Sequence, residues 1–336
     1  MQPAKITVLP PVGVVYDSNL GQGIDSILAL ALLHGFAGKQ KCRVASLTVN
    51  YPDLRAAQLC DAIERFYASA ITGPAAEFFR PSPLGIVEGK NPAANLPVLA
   101  KTWPSGIKKW NDTAIPELLI RNELMANYDG NAVMVLSGPA TNLASLLKLY
   151  DIQSLIAAKV RMLAIAEGEF TADLPAARRV LAEWPTPIVF CSREVGAQLP
   201  FPGASIDSAF SYNATHPIAE AYRVAGTMPY DAPAPALAAM LYALNPAEGY
   251  FALSEPGTVS VGNDGRTVFQ PSAQGRHRYL KADPAQRERI MKVYVEMASA
   301  KPVAPPPRRL PPPVQAQKAA EKKPAPALVD PDAQQQ

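Results

Sequence analysis

A chain of 336 residues has room for one large domain or two average ones, and at 48% hydrophobic it can bury a sizeable core. Charged residues make up only 18%, below the roughly 25% of an ordinary globular domain, and the net charge is +3. From Pro302 onward five basic side chains stand against three acidic ones, so the body is near neutral, which argues against a broad phosphate-binding face for nucleic acid.

The first residues, MQPAKITVLPPVGVVYD, make a poor signal peptide and are too short to span a membrane. The expectation is a cytoplasmic protein, unless a signal peptide has been removed, with no membrane partner. In chain order, residues 12–16 are expected as a strand and 26–35 as a helix. Then come a strand at 44–49, a helix at 53–67, a helix at 114–127 and a strand at 132–136. A helix at 142–149, a strand at 161–165, a helix at 175–184 and a strand at 187–190 follow. A helix at 232–244 precedes an antiparallel hairpin at 249–266, turned on Asn263-Asp264-Gly265. Short apolar strands alternating with longer helices predict an α/β fold: an open, mostly parallel sheet with helices on both faces and a late β-hairpin.

Cys42, Cys60 and Cys191 are odd in number and far apart, with no CxxC, so buried free thiols are expected. His34 is expected at a helix C-terminus, and His216 and His277 as surface residues of loops. Residues 302–336 carry ten of the 35 prolines and few large apolar side chains, so the domain is expected over 1–301 and a disordered tail over 302–336. PPPRRLPPP would suit an SH3-like partner, although its composition fits a plain tail as well.

In an open parallel sheet a ligand sits beyond the carboxyl ends of the strands. That rule selects residues 17–26, Asn50, residues 137–142 and residues 166–171. In the first of these, Asp17 ends an apolar strand, Gly21 and Gly23 allow a tight turn, and Asp25 stands at a helix start, where it could serve simply as an N-cap. A carboxylate at the end of a buried strand needs partners, because burying it unpaired is costly. A metal ion or a sugar hydroxyl would supply them.

VVYDSNLGQGIDSILAL (14–30) resembles the N-terminal signature of the inosine-uridine-preferring nucleoside hydrolase family, one form of which reads Asp-x-Asp-Met-Gly-Asn-Asp-x-Asp-Asp. LSGPATNLASLL (136–147), EGEFTADLPAARRVLAEW (167–184) and MPYDAPAPALAAMLYALNP (228–246) resemble later segments of that family, in the family's order. The resemblance spans about residues 5–300. It implies hydrolysis of the N-glycosidic bond of a ribonucleoside or related N-riboside, through an oxocarbenium-like ribosyl cation. It also implies a calcium ion that grips the sugar diol and a water. On the matching positions it implies Asn19, Ser26, the Thr141 carbonyl and Asp231 at the metal. Asp25, Glu169 and Thr171 would hold the sugar, joined by Asn50 from its place at the end of the second strand, and Asp17, Asp25, Asp231 and Tyr230 would serve the chemistry.

This chain departs from the family's pattern where charge matters. Asn19 and Ser26 stand where the family has aspartates, Tyr230 where it has histidine and Thr171 where it has asparagine. Asn cannot act as a general base, and calcium affinity follows ligand charge. The expected metal site is therefore weakened or lost. Two readings follow: a nucleoside hydrolase-like enzyme, or an impaired relative that binds a riboside or serves as a scaffold. A small-molecule partner is expected, and a homo-oligomer is left open. Residues 91–96 and 103–106 could cover the site, and Trp103, Trp110 or Tyr212 could stack on a base. The reading as a whole requires Asp17, Asp25 and Asp231 to converge on one sugar-sized cavity.

Overall fold

The computed structural model describes residues 10–72, 81–89, 105–166 and 170–303. The chain divides into Met1–Ala304 and Pro305–Gln336. The second unit, with the expected disordered tail and its PPPRRLPPP stretch, lies outside the described residues, as do residues 91–96 and Trp103.

The first unit is built on strands β1 (Val12–Ser18), β2 (Cys42–Val49), β3 (Leu84–Ile86), β4 (Ala132–Ser137), β5 (Val160–Ala166) and β6 (Ile188–Cys191). All pair in parallel, in the order β3-β2-β1-β4-β5-β6. Strand order reverses between β1 and β4, so connections leave in opposite directions there and open a crevice at the strands' carboxyl ends. The late strands β7 (Phe251–Leu253), β8 (Gly257–Val261), β9 (Thr267–Pro271) and β10 (His277–Ala282) extend the sheet beyond β6. β10 runs parallel to β6, while β7 and β8 pair with it antiparallel.

Continuous apolar strands imply cover on both faces, and the packing follows strand alternation. Val14 and Tyr16 of β1, with Val133 and Val135 of β4, join one core. That core is shared with α1 (Ile24–Gly38), α2 (Leu54–Ala68), α9 (Pro217–Ala225), α10 (Pro235–Leu244) and α11 (Arg287–Ala298). Val15, Met134 and Leu136 face the other core. There they meet α3 (Pro116–Ala126), α4 (Thr141–Leu146), α5 (Ile152–Lys159) and α6 (Leu174–Glu183). Two short helices, α7 (Arg193–Gln198) and α8 (Ile206–Ala209), follow β6.

α1 is apolar around its whole circumference, as expected of a helix enclosed on all sides. It packs against α9, α10 and α11. Its contact with α11 is so close that a Cβ at Gly35 would fall 2.1 Å from the Met297 carbonyl oxygen.

Several expectations are corrected. The helix expected from residue 232 starts at Pro235, because a residue before proline is disfavoured in the α conformation while proline suits the first helical position. The hairpin turn at 263–265 is in place, but its arms are β8 and β9 rather than 249–266. His216 and His277 are buried, not superficial. His216 caps α9, its Nδ1 accepting from Ile218 N–H at 3.2 Å, and its Nε2 meets Tyr212 Oη at 2.8 Å. His277 lies in β10, where its Nδ1 accepts from Val259 N–H at 2.8 Å. The three cysteines are free and buried. No helix among the described residues is long and apolar enough to cross a membrane.

Candidate functional site

The crevice between β1 and β4 holds a cavity of about 230 Å³, walled by Asn19, Asp25, Ser26, Ser137, Gly138 and Arg193, with Gln22, Pro233 and Pro235 at its sides. That is below the roughly 300–1,000 Å³ of a drug-sized site and suits a sugar-sized group. Its shape comes from the turn after β1. Gly21 has φ +92°, a conformation that favours glycine. Gly23 is extended at φ −154°, so the turn does not require glycine there. Asn19 N–H donates to the Ser137 carbonyl and Asn50 N–H to the Ser18 carbonyl, which staple the turn to the ends of β4 and β2. Tyr16 Oη bridges the Ser26 carbonyl and Ser137 Oγ, each at 3.1 Å.

Asp17 is 1% exposed and sits at the end of β1, in register with Thr48 of β2. Its Oδ1 accepts from Thr48 Oγ1 at 2.7 Å and from Asn142 Nδ2 at 2.8 Å. Burial pushes its carboxyl up to about 7, against the polar contacts of Thr48, Asn142 and Asn50. Its Oδ2 and Asn50 Oδ1 find no hydrogen-bond partner among the described residues. Asn50 donates through Nδ2 to the Ser137 carbonyl.

Asn50 and Asn19 converge on Gly138, which has φ +94°. A Cβ there would lie 2.6 Å from Asn19 Cβ and 2.9 Å from Asn50 Oδ1. Gly138→Ala should therefore cost about 1–2 kcal/mol of stability. It should also displace Asn19 into the cavity, which a urea unfolding curve and a ligand titration would register together.

Asp25 lies in the first turn of α1 but caps a different helix. Its Oδ2 accepts from Ala236 N–H at 2.7 Å and its Oδ1 from Leu237 N–H at 3.1 Å, at the start of α10. Burial raises its carboxyl to about 7, and the two N–H groups hold it from rising further. α1 itself begins at Gly23 with no side-chain cap. The expected N-cap role is thus exercised across the fold.

The other residues singled out in the sequence are more scattered. Asn19 and Ser26 reach the cavity, although Ser26 Oγ donates to the Gly23 carbonyl at 3.0 Å. Thr141 opens α4 and donates through its hydroxyl to Asp173 Oδ2 at 2.8 Å. Thr171 is exposed and packs under Gly265 at the β8–β9 turn. Glu169 lies outside the described residues. Tyr230 donates its hydroxyl to the Tyr222 carbonyl at 2.9 Å and stacks on the Tyr222 ring at 4.5 Å. Asp231 is exposed, its Oδ1 accepting from Gly203 N–H at 3.0 Å. Backbone pairing of Ala232 with Phe201 holds this segment against residues 201–203, and neither Tyr230 nor Asp231 lines the cavity. Tyr212 Oη meets His216 and the Ala300 carbonyl, and Trp110 packs on the small core around Val49 and Ile86, so both serve packing.

These positions test the calcium ion that the resemblance implies. Asn19 and Ser26 line the cavity but carry no charge, and neither Thr141 nor Asp231 lines it. Asp25 is the sole carboxylate lining the cavity among the described residues. Among those residues no three His, Cys, Asp or Glu side chains gather to hold a metal. Calcium takes six to eight oxygens, and the side chains that line the cavity among the described residues do not supply that set.

A second cavity, about 240 Å³, lies beside the start of β3 and is lined in part by Asp61, Glu64 and Arg65. Its acids are committed. Asp61 accepts from Arg65, Ser105 and Gly106. Glu64 accepts from Ser82 N–H and pairs with His34 of α1 at 2.5 Å; burial works to raise its carboxyl, but the His34 charge and these hydrogen bonds hold it below its usual range.

Sequence reasoning missed Arg193, although it stands two residues beyond the carboxyl end of β6, where the strand-end rule would have found it. It also missed Thr48 and Asn142 as partners of Asp17, because that pairing depends on strand register.

In open α/β sheets, ligands bind in the crevice at such a switch point. No family model and no curated protein sequence matches the chain. Solved structures do match its fold. A plant nucleoside hydrolase matches at TM-score 0.65 and 18% identity, over 87% of this chain and 100% of that one. A purine-preferring ribonucleoside hydrolase from Gardnerella vaginalis matches at TM-score 0.64 and 15% identity, over 85% and 98%. The type III effector protein XopQ, solved with adenosine diphosphate ribose, matches at TM-score 0.63 and 12% identity, over 86% and 94%. The fold is that of the nucleoside hydrolases.

Proposed function

We propose that the cavity is the riboside site of a nucleoside hydrolase-like protein, and that its reaction is hydrolysis of an N-glycosidic bond. One observation carries this reading. In this fold, the cavity at the strand-order reversal holds Asp25 in its wall and lies beside the buried Asp17–Thr48–Asn142 cluster. Neighbours of the same fold are named for nucleoside hydrolysis, and one was solved with a ribose-containing ligand.

The chemistry follows from the residues present. Departure of the base leaves a ribosyl cation-like centre that water attacks. Asp25 is the carboxylate able to take that water's proton, and its raised pKa brings it near the range useful to a general base. Asn19, Gln22 and Ser26, which line the cavity, offer hydrogen-bond partners for sugar hydroxyls. Tyr230 is bound to Tyr222, so the leaving base draws its proton from solvent. No step passes through calcium.

A second reading, a riboside-binding protein without turnover, draws support from Asn19, which cannot replace a basic aspartate. A panel of purine and pyrimidine nucleosides, assayed for free base with added calcium and with chelator, separates the two. The expected result is base release that the chelator leaves unchanged. Binding of riboside without release favours the second reading, and absence of both overturns the site.

A further inference from the structure

We propose that Gln22 is a specificity-determining residue that reads the hydrogen-bonding edge of the group joined to the ribose. The substrate class is then a riboside whose aglycone carries a donor and an acceptor side by side, as the amino group and N7 of adenine are. The inference rests on the riboside reading above and specifies the aglycone.

The first observation is the depth of the cavity's wall. Ser26 and Ser137, 2% and 4% exposed, line its floor. Asn19 and Asp25 are half-buried, and Gln22 and Pro233 are exposed at the rim. A cavity of about 230 Å³ suits a sugar-sized group. A ribosyl unit seated on the floor, within reach of Asp25, therefore leaves its aglycone at the rim. Of the three side chains that can meet hydroxyls, Gln22 stands outermost. Arg193 is exposed at the rim too, but it already has a partner.

The second observation is that Gln22 is fixed in its backbone and free in its side chain. Its N–H donates to the Asn19 carbonyl at 3.0 Å, and Gly21 before it has φ +92°, so the turn sets where the side chain starts. The carboxamide itself has no hydrogen-bond partner among the described residues. A carboxamide holds an acceptor oxygen and a donor nitrogen next to each other. It can pair through both with an adjacent donor and acceptor on a heterocycle, as Gln and Asn do with adenine. Pro233 at the same rim offers an apolar surface to the face of such a ring.

The test is calorimetric titration of the full chain with adenosine, purine riboside and ribose, repeated on Gln22→Ala and Gln22→Glu. Where base is released, the same ratios are read from kcat/KM. Purine riboside keeps the ring and N7 of adenosine but lacks the amino group. Gln22 is exposed, and its backbone hydrogen bond survives substitution, so both variants are expected to fold, with thermal melting as the control. Gln22→Ala should weaken adenosine about tenfold and purine riboside no more than about threefold, and leave ribose unchanged. Gln22→Glu keeps an acceptor for the amino group and should retain part of adenosine binding. Equal weakening of the two purine ribosides, or no weakening of adenosine, overturns the proposal and leaves the riboside reading standing. Loss of ribose binding in Gln22→Ala also overturns it, because Gln22 then serves the sugar. If neither ribose nor either riboside binds the wild type at millimolar concentration, the riboside reading falls and this proposal with it.

Discussion

Asp25→Ala should lower the stability of the fold by about 2–4 kcal/mol, more than an ordinary N-cap removal of about 0.5–2 kcal/mol. Both carboxylate oxygens accept N–H groups at the start of α10, and α10 lies against α1, β4 and β5 in the centre of the molecule. Losing the carboxylate strips two donors at once and unties α1 from α10. Asp25→Asn keeps one carbonyl oxygen for one of those donors and should cost about half as much. The two variants should behave alike in turnover. Neither offers a proton acceptor, and base release should fall by roughly a hundredfold or more in both. Urea midpoints and the nucleoside assay read the two effects separately. A wild-type midpoint in Asp25→Ala would show that the cap contributes nothing. Full base release by Asp25→Asn would remove Asp25 from the chemistry and leave its capping role in place.

His216 should make stability fall on acidification. It is fully buried against Phe66 and Phe210, and burial lowers its pKa to about 3. Its Nδ1 accepts from Ile218 N–H, so its Nε2 carries the proton toward Tyr212, and protonating Nδ1 would break the cap. The unfolded chain binds a proton at this histidine near its ordinary pKa of about 6.5, and the folded protein does not until about 3. The stability that this neutral histidine contributes is therefore complete above about pH 6.5 and is lost progressively as pH falls from 6.5 toward 3. At pH 5 the loss is about 2 kcal/mol relative to pH 7.5.

Asp17 and Asp25 pull the other way. With carboxyls raised to about 7, the folded state takes their protons before the unfolded chain does, so acidification over the same range stabilises the fold. Each contributes about 2.5 kcal/mol between pH 7.5 and pH 5, so together they outweigh the histidine, the total rises, and the test is a difference. Asparagine at 216 can still cap α9 but does not titrate. The stability gap between the wild type and His216→Asn should shrink by about 2 kcal/mol from pH 7.5 to pH 5. An unchanged gap would show that His216 is not held neutral.

The parallel half of the fold could be read directly from the sequence, because its strands are short apolar runs between turn residues. Residues 12–16, 132–136 and 161–165 announce β1, β4 and β5 by composition alone. The late meander could not be read that way. β10 (HRYLKA) carries Arg278 and Lys281 on either side of its centre, and its place between β6 and β8 is decided by pairing far along the chain. α11 (RERIMKVYVEMA) is polar on average and is placed by packing on α1. His216 illustrates the same limit. Asn213 and Thr215 just before it are polar, while ring contacts that bury it come from Phe66 of α2 and from Phe210.

The site divides along similar lines. Asn19, Asp25 and Ser26 reach the cavity because the strand-end rule depends only on topology. Asp231 and Tyr230 are directed elsewhere by the pairing of Ala232 with Phe201, which no local pattern signals. Arg193 went unnoticed because one arginine after a strand looks like any surface charge.

The close seating of Gly35 on Met297 bears on how the protein emerges from the ribosome. The helices that cover α1 (Ile24–Gly38), namely α9, α10 and α11, begin only at Pro217 and are synthesised long after it. An all-round apolar helix must wait for its neighbours while the chain between Gly38 and Pro217 is made. During that interval it is a natural client for chaperones, and folding of the first unit cannot finish before α11 has cleared the exit tunnel.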